Sequence, residues 1–304
     1  MYIIYYIYYI QTNKQTNTYM ERHKSKKNRT TTRKNNTKKT KTKTKTKLEK
    51  YKEDAKNGDA DAQYNLGQMF RKGEGVKKNI KEVLRFFRLS AKQGNARAQN
   101  SLGFMIDKGI GIRKNKREAI RLYRLSAKQG NAGAQHNLAM MFEDREGIKR
   151  NYKEAVRLYR LSAKQGHPKA QNNLGAMFHN GHGVKRNYKE AKRLFRLSAK
   201  KGDPLAESNL GNMFYNGYGV KRNYKEALRL YRLAAKQGNT IAQNNLGTMY
   251  EKGHGVTQNK KEAKQLFRLA AKSMRKTKTK TKTKTKTKTK TKTKTKTKTK
   301  TKRK

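Results

Sequence analysis

The chain has 304 residues, a formal net charge of +59, no Cys, no Trp and only two Pro. Lacking cysteine, it has no disulfide, thiolate nucleophile or cysteine-based zinc site, which fits a reducing compartment. No apolar run approaches the roughly 18 residues that a membrane-spanning helix needs. The charge is spread unevenly: residues 1–58 carry +13, residues 59–274 carry +29 and residues 275–304 carry +17.

The chain opens on MYIIYYIYYI, an uncharged decamer of high β propensity with neither the basic lead nor the small-residue cleavage site of a secretory signal. Residues 11–47 are Lys- and Thr-rich and contain almost no large apolar side chain, so burial cannot offset chain entropy. Disorder is expected for 1–47 as a low-complexity segment and for the Lys-Thr tail at 275–304. The repetitive character of both ends reads as the product of expanded simple-sequence DNA. Residues 48–58 read as a truncated helix that caps the region beginning at residue 59.

That region is built on a ruler. Gly58, Gly94, Gly130, Gly166, Gly202 and Gly238 stand 36 residues apart, with no insertion. A fixed period of roughly 20–50 residues marks a repeat architecture, in which each unit buries its apolar face against its neighbours. Six repeats are read, at 59–94, 95–130, 131–166, 167–202, 203–238 and 239–274. The expected class is all-α, a solenoid of helix-turn-helix units.

In the third repeat, Ala134, Leu138 and Met141 give the first helix an i, i+4, i+7 stripe over 132–142. Asn131 stands at the N-cap, as do Asp59, Asn95, Asp203 and Asn239; His167 is the one poor cap. Pro168 and Pro204 fall on the first helical position, where Pro is tolerated. The second helix opens on Asn151, and Asn-x-x-Glu recurs as Asn79/Glu82, Asn115/Glu118, Asn151/Glu154, Asn187/Glu190, Asn223/Glu226 and Asn259/Glu262. This pattern predicts a capping box, which accounts for the only acid present in every repeat. Ala155, Leu158, Tyr159, Ser162 and Ala163 form the buried stripe of the second helix, and a Lys-Gln-Gly end supplies a left-handed glycine. The Gly-x-Gly-Val loops, such as Gly181 to Val184, follow no strand and precede no Gly-Lys-Ser/Thr, so they are turns and not phosphate loops.

Asn-Leu-Gly-x-Met-Phe/Tyr-x-x-Gly-x-Gly-Val, then Asn-Tyr-x-Glu-Ala, then Leu-Tyr-Arg-Leu-Ala/Ser-Ala-Lys-Gln-Gly closely resembles the Sel-1-like repeat, one of the tetratricopeptide-like α-solenoids. The resemblance spans 59–274. It implies an α/α superhelix with first helices on the concave face, and an adaptor or scaffold role in protein assemblies. Repeat three departs from the pattern: Ala139 replaces the helix-one Gly, and Arg145 replaces the first loop Gly, with either a left-handed backbone penalty or a bent loop expected.

Specificity is expected where repeats differ. The candidate ligand face comprises Tyr64, His136, Asn172 and Asn244 in one helix-one column, Phe104 and Asn212 in a second, and His179, Tyr215 and Glu251 in a third that also contains Asp107 and Glu143. A competing reading is drift on a solvated face. A second candidate surface is a basic ridge on helix two. Arg85, Arg121, Arg157, Arg193 and Arg229 form one column, and Arg88, Arg124, Arg160, Arg196 and Arg232 another. Such a ridge would hold RNA, DNA or an acidic surface through nonspecific electrostatics. Leu89, Leu125, Leu161, Leu197, Leu233 and Leu269 lie beside it and are expected to pack between neighbouring second helices; exposed, they would form an apolar stripe for a partner. His179 and His182 straddle a helix end and its loop, so they are not read as a metal pair. No nucleophile–base constellation or cofactor motif is present. The leading reading is a non-enzymatic scaffold for other proteins, without cofactor or metal and cytoplasmic or nuclear, with polyanion binding as the alternative.

Overall fold

The computed structural model describes residues 47–144 and 147–273. The ends expected to be disordered, and Arg145 with its expected strain or loop bend, lie outside the described residues. Within them the chain is helical throughout: α1 (47–56), α2 (Ala60–Lys72), α3 (Ile80–Lys92), α4 (Ala96–Lys108), α5 (Lys116–Lys128), α6 (Ala132–Asp144), α7 (Tyr152–Lys164), α8 (Pro168–Asn180), α9 (Tyr188–Ala199), α10 (Pro204–Asn216), α11 (Tyr224–Lys236), α12 (Thr240–Lys252) and α13 (260–273). The chain forms two compact units, one ending at Leu125 and one beginning at Ser126. In the first, α2 packs on α3 and α3 on α4; in the second, α6 to α12 pack each on the next.

From α2 onward the helices start on the predicted caps. In the first helices, Asn95, Asn131 and Asn239 accept from the amide three residues on at 2.8–3.0 Å. His167 caps as well: its Nδ1 accepts from the Ala170 amide at 3.3 Å, so the expected weak point is occupied by a neutral imidazole. In the second helices the Asn side chains accept from the Glu amide at 3.0–3.3 Å. The other half of the predicted capping box does not form. The cap amides of Asn79, Asn115, Asn151, Asn187, Asn223 and Asn259 donate instead to carbonyls near the end of the preceding helix, Phe70, Ile106, Phe142, Phe178, Phe214 and Tyr250, at 2.8–3.3 Å. With that donor satisfied, the carboxylate is released for another partner.

Three sets of contacts set the repeat geometry. First, the mid-helix glycines Gly67, Gly103, Gly175, Gly211 and Gly247 lie under an aromatic ring of the following helix; a Cβ there would fall 2.7–3.0 Å from the ring. Of these rings Phe87, Tyr123, Phe195 and Tyr231 are almost wholly buried and Phe267 is half-buried. Second, a glutamine early in the first helix donates to the last turn of the previous second helix: Gln63 to the Ala55 carbonyl, Gln99 to Ala91, Gln171 to Ala163 and Gln243 to Ala235, at 3.2–3.3 Å. Each of these carbonyls also accepts from the glycine amide three residues on, at 2.9–3.3 Å, so the glutamine takes the second lone pair at the helix end. Third, in the second unit, loop rings stack on the opening tyrosine of the preceding repeat's second helix: His182 on Tyr152 at 4.9 Å, Tyr218 on Tyr188 at 5.6 Å and His254 on Tyr224 at 4.6 Å. The adjoining Gly183, Gly219 and Gly255 have positive φ and approach those tyrosines so closely that a Cβ would come within 3.0 Å. These glycines serve repeat docking as well as the turn.

At the start of the first unit, α1 seals the apolar face of α2. Leu48 and Ala55 are buried with Ala62, Leu66, Met69 and Phe86.

Candidate functional site

A first helix in this fold is covered on two sides, by its own second helix and by that of the repeat before. The consequence is a correction to the candidate ligand face. Its first column turns inward: Tyr64, His136, Asn172 and Ser208 are buried, while Asn100 and Asn244 are half-buried. Tyr64 stacks on Phe87 at 5.5 Å, with the Arg97 guanidinium 4.4 Å above it. His136 lies against His167 at 4.9 Å and Tyr159 at 5.8 Å. Burial, then the neighbouring His167, lowers its pKa to about 4, so the ring is neutral. The Asn172 carbonyl accepts from Asn209 in the next repeat at 2.9 Å.

The second column stays open. Phe104 is 44% exposed, and Met140, Ala176, Asn212 and Thr248 are half-buried. The Asn212 side-chain oxygen accepts from Tyr231 at 2.6 Å and from Asn245 at 2.9 Å.

The third column divides. Arg71 and Glu251 are exposed. Asp107 is 1% exposed and paired with Lys108 and Lys116. Burial alone would raise its carboxyl pKa, but hydrogen bonds from Lys108 and Lys116 more than reverse this and hold it low. Glu143 accepts from the Tyr159 hydroxyl at 2.7 Å. His179 lies 5.2 Å from both Tyr188 and Tyr218, and burial followed by the nearby Arg186 lowers its pKa. Tyr215 shares a 2.9 Å hydrogen bond with His254 Nδ1. The candidate residues therefore fall into separate places: Tyr64 and Phe104 in the first unit, and Asn212, Tyr215, Asn244 and Glu251 on adjoining repeats of the second.

The same helix pairs recur in known proteins. The Sel1 repeat profile matches residues 60–95, 96–131, 132–167, 168–203, 204–239 and 240–273. The chain belongs to the Sel1 repeat family. A Sel1 repeat protein from Oxalobacter formigenes is similar, with 32% identity and a TM-score of 0.65 over 70% of this chain and 85% of that one. A protective antigen of uropathogenic Escherichia coli that displays this fold is similar at 33% identity and a TM-score of 0.64, over 74% of this chain. The present chain spans 48% of the length of that antigen. Comparison with curated proteins returns no match. Sel1 repeats serve in general as non-catalytic protein–protein interaction scaffolds. Among the described residues no helix is long and apolar enough to cross a membrane.

The Sel1 second helices carry the two Arg columns on exposed positions, but the columns differ in charge balance. The carboxylates released from the capping boxes pair with the first one: Glu82 with Arg85, Glu118 with Arg121, Glu154 with Arg157, Glu190 with Arg193 and Glu226 with Arg229, at 2.6–3.0 Å. The ridge's excess charge therefore resides in Arg88, Arg124, Arg160, Arg196 and Arg232 and in the lysines. Of these, Arg160 sits 5.7 Å over the Phe178 ring, and Arg232 donates to the Tyr250 hydroxyl at 2.7 Å. The leucines expected to pack between second helices are instead 36–48% exposed in every repeat. Sequence reading also passed over the asparagines Asn173, Asn209 and Asn245, which bond to Tyr159, Asn172 and Asn212 across repeat boundaries. Their recurrence at 36-residue spacing was the available signal.

Proposed function

We propose that this Sel1-repeat chain is a scaffold that takes a protein or peptide segment on its first-helix face. In the second unit the contact residues are Asn212, Tyr215, Asn244 and Glu251, and in the first unit Phe104. The observation that supports this reading is the contrast between positions. Exposed second-helix positions repeat the same residue types, whereas the open first-helix column runs Gln68, Phe104, Met140, Ala176, Asn212, Thr248. A surface that differs at each step can distinguish one ligand from another.

The test is affinity capture with the full chain, with nuclease added and at two salt concentrations. Discrete proteins that survive both treatments, and that are lost from a Tyr215→Ala/Phe104→Ala variant, would support the reading. Loss to nuclease, or loss only from an Arg160→Glu/Arg196→Glu/Arg232→Glu variant, would move function to the basic ridge.

A further inference from the structure

We infer that the second-helix face of the second unit is a peripheral docking surface for anionic lipid bilayers. This surface is separate from the first-helix face and does not depend on that reading. Leu161, Leu197, Leu233 and Leu269 occupy one equivalent position on α7, α9, α11 and α13, and each is 36–48% exposed. On each helix a Lys follows three residues later and an Arg stands immediately before. Residues three apart share a helix face. Every repeat therefore presents one protruding apolar side chain beside a long cationic one.

Two features select the ligand. The first is sameness. Leu and its cations recur unchanged at each step, so they suit a ligand that is itself uniform along its surface. A folded protein without repeats is not uniform in that way, whereas a lipid surface or a nucleic acid backbone is. The second feature is the apolar component. Phosphate contacts to a nucleic acid backbone are made by cations and hydrogen-bond donors. At a bilayer, by contrast, leucine enters the headgroup–acyl boundary while lysine extends to the phosphates. Charge complementarity points the same way: on α7, α9 and α11 the carboxylates of Glu154, Glu190 and Glu226 are matched by Arg157, Arg193 and Arg229, which leaves the lysines of those helices in excess.

The experiment uses the full chain and the fact that it contains no cysteine. Leu197→Cys is labelled with an environment-sensitive fluorophore and mixed with phosphatidylcholine vesicles containing about 30% phosphatidylserine, with Thr248→Cys on the first-helix face as control. The expected result is a blue shift and protection from an aqueous quencher at position 197 only, absent with phosphatidylcholine alone. A Leu161→Ser/Leu197→Ser/Leu233→Ser variant should lose about tenfold in vesicle affinity and change by less than about twofold toward a single-stranded RNA. The Lys-Thr tail can also attract vesicles, so vesicle binding without a signal at position 197 would overturn the proposal. So would a signal produced equally by RNA or by polyglutamate, or a triple variant that binds vesicles as the parent does. Should the triple variant melt early, the single-label comparison on an otherwise parental surface still decides.

Discussion

His136 and Glu207 show how one residue off the repeat pattern changes behaviour. Other repeats place Asn100, Asn172 or Asn244 where His136 stands. Its folded pKa of about 4 lies below the ordinary 6.5, so between these values the unfolded chain binds the extra proton. Stability is therefore complete above pH 6.5 and falls as the pH drops toward 4, by on the order of 3 kcal/mol for this group. Burial lowers the pKa of His167 and His179 as well, and both add in the same direction. His136→Asn is expected to flatten the pH dependence of the melting temperature between those limits. An unchanged acid transition would refute it.

Glu207 occupies the position that Gln63, Gln99, Gln135, Gln171 and Gln243 hold in the other repeats. It is 7% exposed and accepts from Gln237 at 2.8 Å, and a carboxylate cannot donate to the preceding helix end as those glutamines do. Burial, and next the charge of Asp203, raise its pKa. The folded state then holds its proton more tightly, so stability is fullest below the ordinary carboxylate range and declines as the pH rises through the folded value. Glu207→Gln should stabilise the protein at neutral pH by about 1 kcal/mol and remove that decline, as read by urea unfolding at several pH values.

At the scale of elements, helix starts and stops were legible because caps act locally. An Asn or Asp side chain needs only the amides two or three residues away, and a C-terminal Gly needs only its own φ. The loops were read correctly as turns but incompletely. Gly183 and Gly202 both adopt positive φ, yet a Cβ at Gly202 meets nothing within 4 Å, whereas one at Gly183 meets Tyr152 of the preceding repeat. Gly202→Ala should therefore cost only the left-handed backbone term of about 1 kcal/mol. Gly183→Ala should add the loss of the His182–Tyr152 stack, for a total of about 2–3 kcal/mol by chemical denaturation. Equal costs would mean that the loop does not dock. The aromatic signal was in the sequence: a ring in the loop of repeats four to six accompanies a Tyr opening the helix before.

At the scale of the whole molecule, a repeat array is stabilised by each unit's own packing and its contacts to neighbours. Deleting residues 167–202 joins Gly166 to Asp203, which can take the vacated cap of His167. It also brings Tyr218 and Gly219 to the positions of His182 and Gly183, opposite Tyr152, so ring again meets ring. The shortened chain should keep its helical signal per residue by circular dichroism and melt cooperatively at a lower temperature. Deleting only residues 167–184 breaks the register and should lose both. If the two deletions behave alike, the 36-residue unit is not the folding module.

The sequence by itself determined the period, the helices, their caps and the apolar stripe of each, because these depend on residues within a turn or two of one another. Only the tertiary structure decided which polar side chains are enclosed and which apolar ones are left out. Tyr64 and His136 vary as ligand residues would, yet they face inward because a second helix covers that side. The repeated leucines lie at the edge of the buried arc, yet they remain open. The recurrent glutamates of α3, α5, α7, α9 and α11 pair with arginine because the cap amide finds a carbonyl at the end of the preceding helix. Each of these outcomes depends on an atom belonging to another helix, and the 3.6-residue pattern of a single helix carries no information about it.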